Sequence, residues 1–461
     1  MKLSAALRIS DGEIIAFVGG GGKTTAMFRL AGEIVEAGGR VITTTTTRIF
    51  AAQISLAPTH LSTFEASRAT VEAALNKHNH VLITGPVNAA EGKAAGVTPG
   101  LVEDLRAIPD LSAILIEADG SRMRPFKAPA EHEPVIPGVT TLVVPVVGAD
   151  VFGEPLGEEH VHRVELVRAL TGAAEGEPVT PELVARVLGH PQGGLKRVPS
   201  GACVIPLINK VETPESLALA RATAARMLEN PNLTSVVIGA VKRGGHPVRE
   251  AHGRVAAIVL AAGRSTRMGR SKQTLPWGAT TMIGAVVRRL QASGLSEIVV
   301  VTGAERESVE AALAEGPRSE APGEAAPVRF AFNPDFETSE MARSLQVGLR
   351  SLPGNCMAAL VALADQPQME TETARVVIQR WRETLAPVAA PIYQGQRGHP
   401  LLFDRSTWAD LFNLPAEANP REFLRAAGRI ELVETDTDSI LRDIDTPDDY
   451  AREQRPGPEG F

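Results

Sequence analysis

The sequence predicts an α/β protein with two doubly wound domains, and three observations support this fold class. Two apolar segments each run into a glycine-rich turn and then into a helical pattern, which is how a domain built on a parallel sheet begins. The chain has 461 residues, whereas a single domain typically has about 150. Only 4% of the residues are aromatic, and the 42 glycines and 33 prolines favour tight turns and aliphatic cores over an aromatic-rich β-sandwich.

Composition and charge exclude several classes of function. The hydrophobic fraction of 44% and the charged fraction of 22% are typical of a globular protein and exclude collagen-like and disordered chains. The formal net charge of -7 provides no basic field for a polyanion, so we expect no nucleic-acid partner. No stretch approaches about 18 uninterrupted apolar residues and no signal-peptide pattern opens the chain. We therefore expect no membrane partner and a cytoplasmic location.

The two cysteines, Cys203 and Cys356, lie far apart in the sequence. Neither has a nearby Cys or His at metal-ligand spacing, which excludes a disulfide framework and a structural zinc site. We expect both to be buried, small hydrophobic side chains.

The first domain is predicted over residues 1–250 and opens with a P-loop-like arrangement. The strand pattern IIAFV leads into four glycines and then into a helix. Backbone N–H groups of such a loop surround phosphate, the lysine contacts its outer oxygens and the threonine is available to magnesium. Phe17 stands where the standard spacing has its first glycine, so the loop is short; the pattern predicts a bound nucleotide, ATP or GTP, and leaves hydrolysis open. The predicted nucleotide-binding residues are Gly19, Gly21, Gly22, Lys23, Thr24 and Thr25.

Further polar residues of the first domain follow its predicted strands. Glu117 and Asp119 end the strand pattern AILIE, where a carboxylate partner of the loop is expected. Asn209, Lys210 and Glu212 occupy the positions of the guanine-reading NKxD motif, with Glu in place of Asp, so guanine preference and a plain helix start both remain open.

Two weaker patterns complete the first domain. Thr43 to Arg48 follow the strand RVI, where hydroxyl groups could line a nucleotide crevice or simply belong to a strand. Lys127, His132 and Glu133 form a polar cluster among prolines, which predicts either a site for an anionic or metal-linked ligand or a solvated loop.

Together, GGGGKTT, TTTTTR, EADGSRMRPFKAPAEHEPVIP and LINKVE resemble a family of accessory proteins of selenium-dependent molybdenum hydroxylases. The resemblance covers roughly residues 5–245. It implies an apo molybdenum hydroxylase as a partner and leaves the chemistry of the domain, including any selenium chemistry, open.

The second domain is predicted over residues 254–455, after a short exposed linker, KRGGHPVREAHGR, with the boundary near Gly253. The apolar run VAAIVL is typical of a strand buried on both faces, and TMIGAVVRRLQASGL has its apolar residues at helical spacing. Between them lies a glycine- and arginine-rich loop, whose residue types suit phosphate binding. Its predicted nucleotide-binding residues are Leu260, Ala261, Ala262, Gly263 and Gly269.

The loop LAAGRSTRMGRSK resembles the LxxGxSxRMGxxK signature of nucleotidyltransferases that act on molybdopterin. NPDFETSEMARSL, VALADQP, RGHPLLF and DIDTPDDY resemble further segments of that family in the same order, although Glu340 and Ala364 replace family glycines. The resemblance implies a Rossmann-like, GT-A-like nucleotidyltransferase domain whose small-molecule substrates are CTP and molybdopterin.

The chemistry of nucleotidyl transfer needs a magnesium ion held by hard oxygen ligands, because negative charge develops on the leaving oxygens. We expect Asp365 and Asp445 to bind that ion, with Asp443 as a further ligand. Arg267 is expected to hold the pyrophosphate and Lys272 the α-phosphate. From the residues alone, an Asp before Gln-Pro can also shape a turn, and DTPDD can cap a helix.

Substrate choice depends on two short segments. Leu260 to Gly263 read LAAG, which in the family resembles the cytidylyl-transferring branch, whereas the guanylyl-transferring branch has LAGG. His399 is expected either to contact the substrate near the pterin phosphate or to be a hydrogen-bonded structural histidine. The favoured function is transfer of CMP from CTP to molybdenum-loaded molybdopterin. Alternatives are the use of GTP, a sugar-phosphate or polyol-phosphate acceptor, and a nucleotide-switched chaperone or carrier for hydroxylase assembly.

Overall fold

The computed structural model describes residues 1–263, 271–314, 325–338, 341–415, 424 and 429–454. The chain forms two compact units, Met1–His252 and Gly253–Phe461. Within the described residues, no helix has both the length and the apolar composition needed to cross a membrane.

The first unit alternates strands and helices along the chain. Its strands are β1 (Glu13–Gly19), β2 (Val41–Thr45), β3 (Arg48–Phe50), β4 (His60–Ser62), β5 (His80–Thr84), β6 (Val87–Asn88), β7 (Lys93–Ala95), β8 (Ala113–Glu117), β9 (Phe126–Lys127), β10 (Leu142–Gly148), β11 (Val161–His162), β12 (Cys203–Val204), β13 (Leu207–Asn209) and β14 (Ser235–Gly239). Its helices are α1 (Leu3–Ala6), α2 (Lys23–Glu36), α3 (Arg68–His78), α4 (Pro99–Leu105), α5 (Val164–Thr171), α6 (Pro181–Leu188) and α7 (Pro214–Met227).

A parallel sheet forms the centre of the first unit, in the order β4-β5-β2-β8-β1-β10-β13-β14, with β12 also paired to β10. Ile14 and Val18 of β1 pack with Val71 and Leu75 of α3 on one face. Alternate residues of a strand point to opposite faces, so Phe17, which is fully buried, faces the other side. The sheet is covered on both faces, which confirms the α/β class for this unit.

The second unit begins within β15 (Val248–Ala261), a strand that starts in the first unit. Its other strands are β16 (Pro276–Trp277), β17 (Thr280–Thr281), β18 (Ile298–Thr302), β19 (Val328–Phe332), β20 (Cys356–Leu363), β21 (Val388–Tyr393), β22 (Gln396–Arg397), β23 (Leu401–Asp404) and β24 (Ile430–Glu434). Its described helices are α8 (Met282–Gln291), α9 (Arg306–Ala314), α10 (Met341–Arg350), α11 (Thr371–Thr384), α12 (Trp408–Phe412) and α13 (Pro447–Glu453).

The central sheet of the second unit has the order β19-β18-β15-β20-β23-β21-β24. All neighbouring strands are parallel except β23, which runs antiparallel to both β20 and β21. The sheet is therefore mixed rather than wholly parallel. Residues of α8 and α11 pack on one face and residues of α10 and α12 on the other, so this unit is also α/β.

Two sequence-based expectations are corrected by the structure. The segment expected to be an exposed linker is exposed only over residues 242–246; from Val248 onward it forms the start of β15, and Val248, Glu250 and His252 are buried. The Glu250 carboxylate is neutralised by Arg221, which allows a charged segment to lie inside. The thiol of Cys356 is buried as expected, but Cys203, at the start of β12, is exposed.

Candidate functional site

The glycine loop of the first unit lies between β1 and α2, at the carboxyl end of the parallel sheet. Gly19, Gly21 and Gly22 have positive φ angles of 93°, 76° and 116°, which glycine adopts without strain. A Cβ atom on Gly21 would collide with the backbone of Gly148, and one on Gly22 would meet the side chain of Asn209. Both the backbone conformation and the close packing therefore require glycine here.

The first N–H groups of this loop bond to the protein itself. The N–H of Gly19 donates to Asp119, that of Gly20 to the carbonyl of Val146 and that of Gly21 to the carbonyl of Arg124. The first N–H groups of a helix have no partner inside the helix. A phosphate group would thus be met by the N-terminus of α2, beginning at Lys23, rather than by the whole loop.

Lys23 and two carboxylates form a buried charged group beneath the loop. The Lys23 Nζ atom donates to the carbonyl of Gly19 at 2.7 Å and lies 3.3 Å from Asp119 Oδ1 and 3.8 Å from Glu117 Oε1. The Thr24 hydroxyl donates to Glu117 Oε2 at 2.6 Å. Burial raises the pKa of Glu117, although Lys23 and Thr24 act in the opposite direction. The predicted carboxylates therefore contact the predicted lysine and threonine directly.

A cavity of about 940 Å³ opens over the glycine loop. The predicted residues Gly21, Gly22, Lys23, Thr24 and Thr25 lie in its wall. The remaining lining comes from Thr47, Arg48, Ile49, Phe50, Gln53, Lys93, Glu117, Gly120, Ser121, Arg122, Met123, Arg124, His132, Glu133, Val135, Lys210 and Lys242. A cavity of this size accommodates a nucleotide.

The NKVE segment fixes the loop from the neighbouring strand. Asn209 donates through Nδ2 to the carbonyl of Gly21 at 2.8 Å and accepts through Oδ1 from the N–H of Val241 at 3.0 Å. Lys210 pairs with Asp150 at 2.6 Å and lines the cavity. Glu212 is exposed and is not among the residues in the cavity wall. Guanine preference stays a prediction.

The polar cluster among the prolines is interior, which contradicts the solvated-loop interpretation for two of its three residues. Lys127 and Glu133 are buried, and Lys127 Nζ lies 2.7 Å from Glu133 Oε2 and 3.0 Å from Asp119 Oδ2. Burial disfavours the Glu133 charge, but Arg163 and Lys127 outweigh it and lower the pKa of Glu133 to about 2. His132 is exposed and lines the cavity. Lys127 thereby connects this cluster to the loop through Asp119.

The threonine run has two roles. Thr43, Thr44 and Thr45 lie in β2 and are fully buried, and their hydroxyl groups bond to His80, to the carbonyl of Ile83 and to the carbonyl of Glu117. Of the run, Thr47 and Arg48 line the cavity.

In the second unit, β15 and β20 are parallel neighbours in register at Leu260 and Leu363, so the residues that follow both strands meet at one edge of the sheet. Lys272 Nζ lies 2.6 Å from Asp365 Oδ2 and 2.9 Å from Asp445 Oδ1. Burial disfavours the charged lysine, but the two carboxylates outweigh it and raise the pKa of Lys272. Three of the residues predicted for catalysis and metal binding are thus in direct contact.

A cavity of about 300 Å³ adjoins this ion cluster. Leu260, Ala262, Gly263, Lys272 and Asp365 line it, as predicted residues of the loop and the strand end. The remaining lining comes from Gln273, Asn333, Phe336, Met341, Ser344, Leu363 and Ala364. Ala261 is buried and belongs to the core of the sheet.

The ion cluster has the donors that a divalent cation requires. Asp365 and Asp445 point at one ammonium group, and Asp365 Oδ1 is buried with no hydrogen-bond partner among the described residues. Two carboxylates with an unused oxygen fit magnesium, which takes few protein ligands and completes its shell with water and phosphate oxygens. No set of three or more His, Cys, Asp or Glu side chains in the described parts of the chain is arranged to hold a metal ion.

Asp443 and Asp445 lie just before α13, which Thr446 caps and which has Pro447 in its first turn. Asp443 Oδ1 accepts from Gln366 Nε2 at 2.7 Å, rather than lying against Lys272. Burial raises the pKa of Asp443, and Asp365 and Asp445 add to this effect. The segment is therefore both a helix cap and the source of the Asp445 carboxylate, and Asp443 as a metal ligand stays a prediction.

Three further predicted residues lie outside the cavity or outside the described chain. His399 lies between β22 and β23, where its backbone N–H donates to the carbonyl of Ile440 at 3.1 Å. It is not among the residues that line the cavity beside Lys272. Arg267 and Gly269 lie outside the described residues.

Several residues of the sites were not singled out by the sequence. Gln53 donates to the hydroxyl of Thr24 at 3.3 Å, and Gln366 holds Asp443. Arg122 and Arg124 face the larger cavity of the first unit. The arginines could have been predicted because they lie inside EADGSRMRPFKAPAEHEPVIP, and Gln366 because it lies inside VALADQP. The sequence offers no such signal for Gln53.

In comparisons with known proteins, the two halves of the chain match two different families. A family model described as YqeC protein matches residues 15–165, and one described as MobA-like NTP transferase domain matches residues 257–432. The uncharacterized protein YqeC of Escherichia coli (strain K12) is 33% identical over 241 residues, covering 51% of this chain and 89% of that protein.

Two further relatives match the second half. The molybdenum cofactor cytidylyltransferase of Escherichia coli (strain K12) is 24% identical over 193 residues, covering 42% of this chain and 92% of that protein. The nicotine blue oxidoreductase of Paenarthrobacter nicotinovorans is 26% identical over 211 residues, covering 43% of this chain and 95% of that protein. The chain therefore belongs to the YqeC family through its N-terminal half and carries a MobA-like NTP transferase domain in its C-terminal half.

Proposed function

We propose that the C-terminal domain transfers CMP from CTP to molybdenum-loaded molybdopterin and releases pyrophosphate. The observation that carries this proposal is the contact of Lys272 with both Asp365 and Asp445 beside a cavity that the LAAG segment lines in part. The similarity to a molybdenum cofactor cytidylyltransferase supports the choice of acceptor.

The reaction is a substitution at phosphorus. An oxygen of the terminal phosphate of molybdopterin forms a bond to the α-phosphorus of CTP. The bond between that phosphorus and the oxygen that bridges the α- and β-phosphates breaks. Pyrophosphate leaves with the electron pair, so nothing is oxidised or reduced. The Lys272 ammonium, whose pKa is raised, remains charged at neutral pH and stabilises negative charge on the α-phosphate oxygens.

Magnesium would be held by Asp365 and Asp445, and when bound it neutralises charge on the phosphate oxygens. The Asp365 Oδ1 atom, which has no partner among the described residues, is available as a ligand. Arg267 is assigned to the leaving pyrophosphate on the sequence resemblance.

The N-terminal domain is proposed to bind ATP or GTP at the glycine loop and to support modification or delivery of the cofactor, with an apo molybdenum hydroxylase as recipient. The buried contact between Lys23, Thr24 and Glu117 under a cavity of nucleotide size supports this part.

The test measures pyrophosphate release and dinucleotide formation from magnesium-CTP or magnesium-GTP with molybdenum-loaded molybdopterin. We expect product from CTP and a loss on the order of 100-fold or more in Asp365→Asn. Asp410→Asn is the matched control, because Asp410 is exposed on α12 and does not line the cavity.

Three outcomes would contradict the proposal in different ways. Product from GTP alone would reverse the nucleotide assignment. Product only with a sugar phosphate or polyol phosphate would replace the acceptor. No product with any acceptor, together with nucleotide-dependent binding of an apo-hydroxylase that survives Asp365→Asn, would favour a chaperone or carrier.

A further inference from the structure

A second cavity in the first unit has five lining residues that the proposed function does not use. It measures about 420 Å³ and contains Arg122, Arg124 and Arg163, so we call it the arginine cavity. It shares Arg122, Arg124, Gly120 and Glu133 with the wall of the larger cavity over the glycine loop. A molecule in the arginine cavity would therefore lie next to a nucleotide bound at the loop.

Two of the three arginines carry charge that the protein does not neutralise. Arg163 lies 2.5 Å from Glu133. Within the described part of the chain, the guanidinium groups of Arg122 and Arg124 have no hydrogen-bond or ion-pair partner. The two guanidinium groups are therefore available to a ligand, and their fork-shaped donors match the oxygens of a phosphate monoester.

The backbone holds these side chains in an uncommon conformation. Arg122, Met123 and Arg163 have positive φ angles of 48°, 64° and 65°. Non-glycine residues adopt this region at a cost in strain, and such residues cluster at binding sites. The carbonyl of Arg124 also accepts from the N–H of Gly21 at 3.1 Å, which ties the arginine segment to the glycine loop.

His162 is also part of the cavity wall. Burial lowers the pKa of His162 to about 4, and Arg163, Lys127 and Arg122 act in the same direction, whereas Glu133 opposes them. The acidic residues Glu158 and Glu165 also line the cavity and provide acceptors for hydroxyl or amino groups. The lining therefore suits a polar molecule with an anionic end.

We propose that the arginine cavity binds the phosphate group of a small-molecule second substrate, beside the nucleotide of the glycine loop. The site itself does not depend on the CMP transfer of the C-terminal domain. Its position next to a nucleotide rests on the proposed nucleotide binding at Lys23, and the test separates the two.

The experiment titrates inorganic phosphate into the full-length chain by calorimetry, with and without saturating magnesium-ADP. We expect binding of phosphate in both conditions and a loss of affinity of at least tenfold in Arg122→Gln/Arg124→Gln. Because both side chains lack partners among the described residues, we expect this variant to fold. Arg122→Lys/Arg124→Lys, which keeps the charge, should retain part of the affinity, and the exposed Arg106 provides the matched control Arg106→Gln.

Equal phosphate affinity in the double Gln variant and the unchanged chain would overturn the proposal. A tenfold loss of ADP affinity in the double Gln variant, measured without phosphate, would also overturn it, because the arginines would then hold the phosphates of the nucleotide. If the unchanged chain binds no ADP, the nucleotide half of the proposed function fails, and the titration without ADP still tests the cavity.

Discussion

At the scale of single residues, Gly21 combines two requirements that can be separated by mutation. It has φ of 76° and touches the backbone of Gly148, whereas Gly38 has φ of 87° and open space around it. We expect Gly21→Ala to lower the free energy of unfolding by about 3 kcal/mol or more, because the left-handed backbone and the collision both cost energy. Gly38→Ala has only the backbone cost, about 1 kcal/mol. Urea denaturation of the two variants measures the difference, and equal losses would contradict the close packing.

The sequence predicted residue types at the sites better than their partners. Lys272, Asp365 and Asp445 were assigned separately to phosphate and metal, and the structure adds that they touch, over 93 and 173 residues of sequence separation. For Asn209 the sequence left base recognition and a helix start open, and the structure adds that its amide bridges Gly21 and Val241. Such pairings depend on which strands are neighbours in the sheet, and residue order along the chain does not contain that information.

At the scale of elements, the buried carboxylate of Glu250 joins the beginning of β15 to Arg221 of α7 through hydrogen bonds. Glu250 is 2% exposed and accepts from Arg221 Nε at 3.0 Å through each oxygen, and from His252 at 2.7 Å. Burial opposes the charge, but the hydrogen bonds from His252 and Arg221 outweigh it and lower the pKa of Glu250 from 4.5 to about 2. The charge thus stabilises the fold above pH 4.5, and this contribution is lost as the pH falls toward 2.

We expect Glu250→Gln to lower the free energy of unfolding of the first unit by about 2 kcal/mol at pH 7, below the value for a fully buried pair because Arg221 reaches solvent. The difference in free energy of unfolding between this variant and the unchanged chain should decrease as the pH falls below 4.5. Chemical denaturation across this range measures the difference, with Glu103→Gln, at an exposed position of α4, as the control. A difference that does not depend on pH would contradict a role for the charge.

Elements with a clear apolar pattern were predictable, including the VAAIVL part of β15, whereas the start of β15 at Val248 was not. Ile283, Val286, Val287 and Leu290 were placed on one helical face, and all four are buried in α8. The exposed-linker prediction rested on glycine, proline and charged residues, and it is right for residues 242–246 but wrong from Val248 onward. Tertiary contacts outweighed that composition, since the charge of Glu250 is paired inside the fold.

At the scale of the whole molecule, each unit has its own hydrophobic cores, which predicts two unfolding transitions in calorimetry. Magnesium-CTP at about 100 times its Kd should stabilise the second unit by about 2.7 kcal/mol, and magnesium-ATP the first unit similarly. Asp365→Asn should abolish the stabilisation by CTP and leave that by ATP unchanged. Lys23→Gln should abolish the stabilisation by ATP and leave that by CTP unchanged. If either nucleotide moved both transitions equally, the assignment of one nucleotide to each unit would be contradicted.

The two cysteines differ in exposure, so their reactivity can report local unfolding of the second unit. Cys203, in the first unit, is exposed, whereas Cys356, in the second, is buried and has its pKa raised to about 11 by that burial. Because the thiolate is the reactive form, a brief maleimide pulse at neutral pH modifies Cys203 in the native state and reaches Cys356 only when β20 separates from its neighbours. A fluorophore can thus be attached to the first unit without mutagenesis. The rate at which Cys356 is modified, followed by mass spectrometry, measures how often the second unit opens at β20.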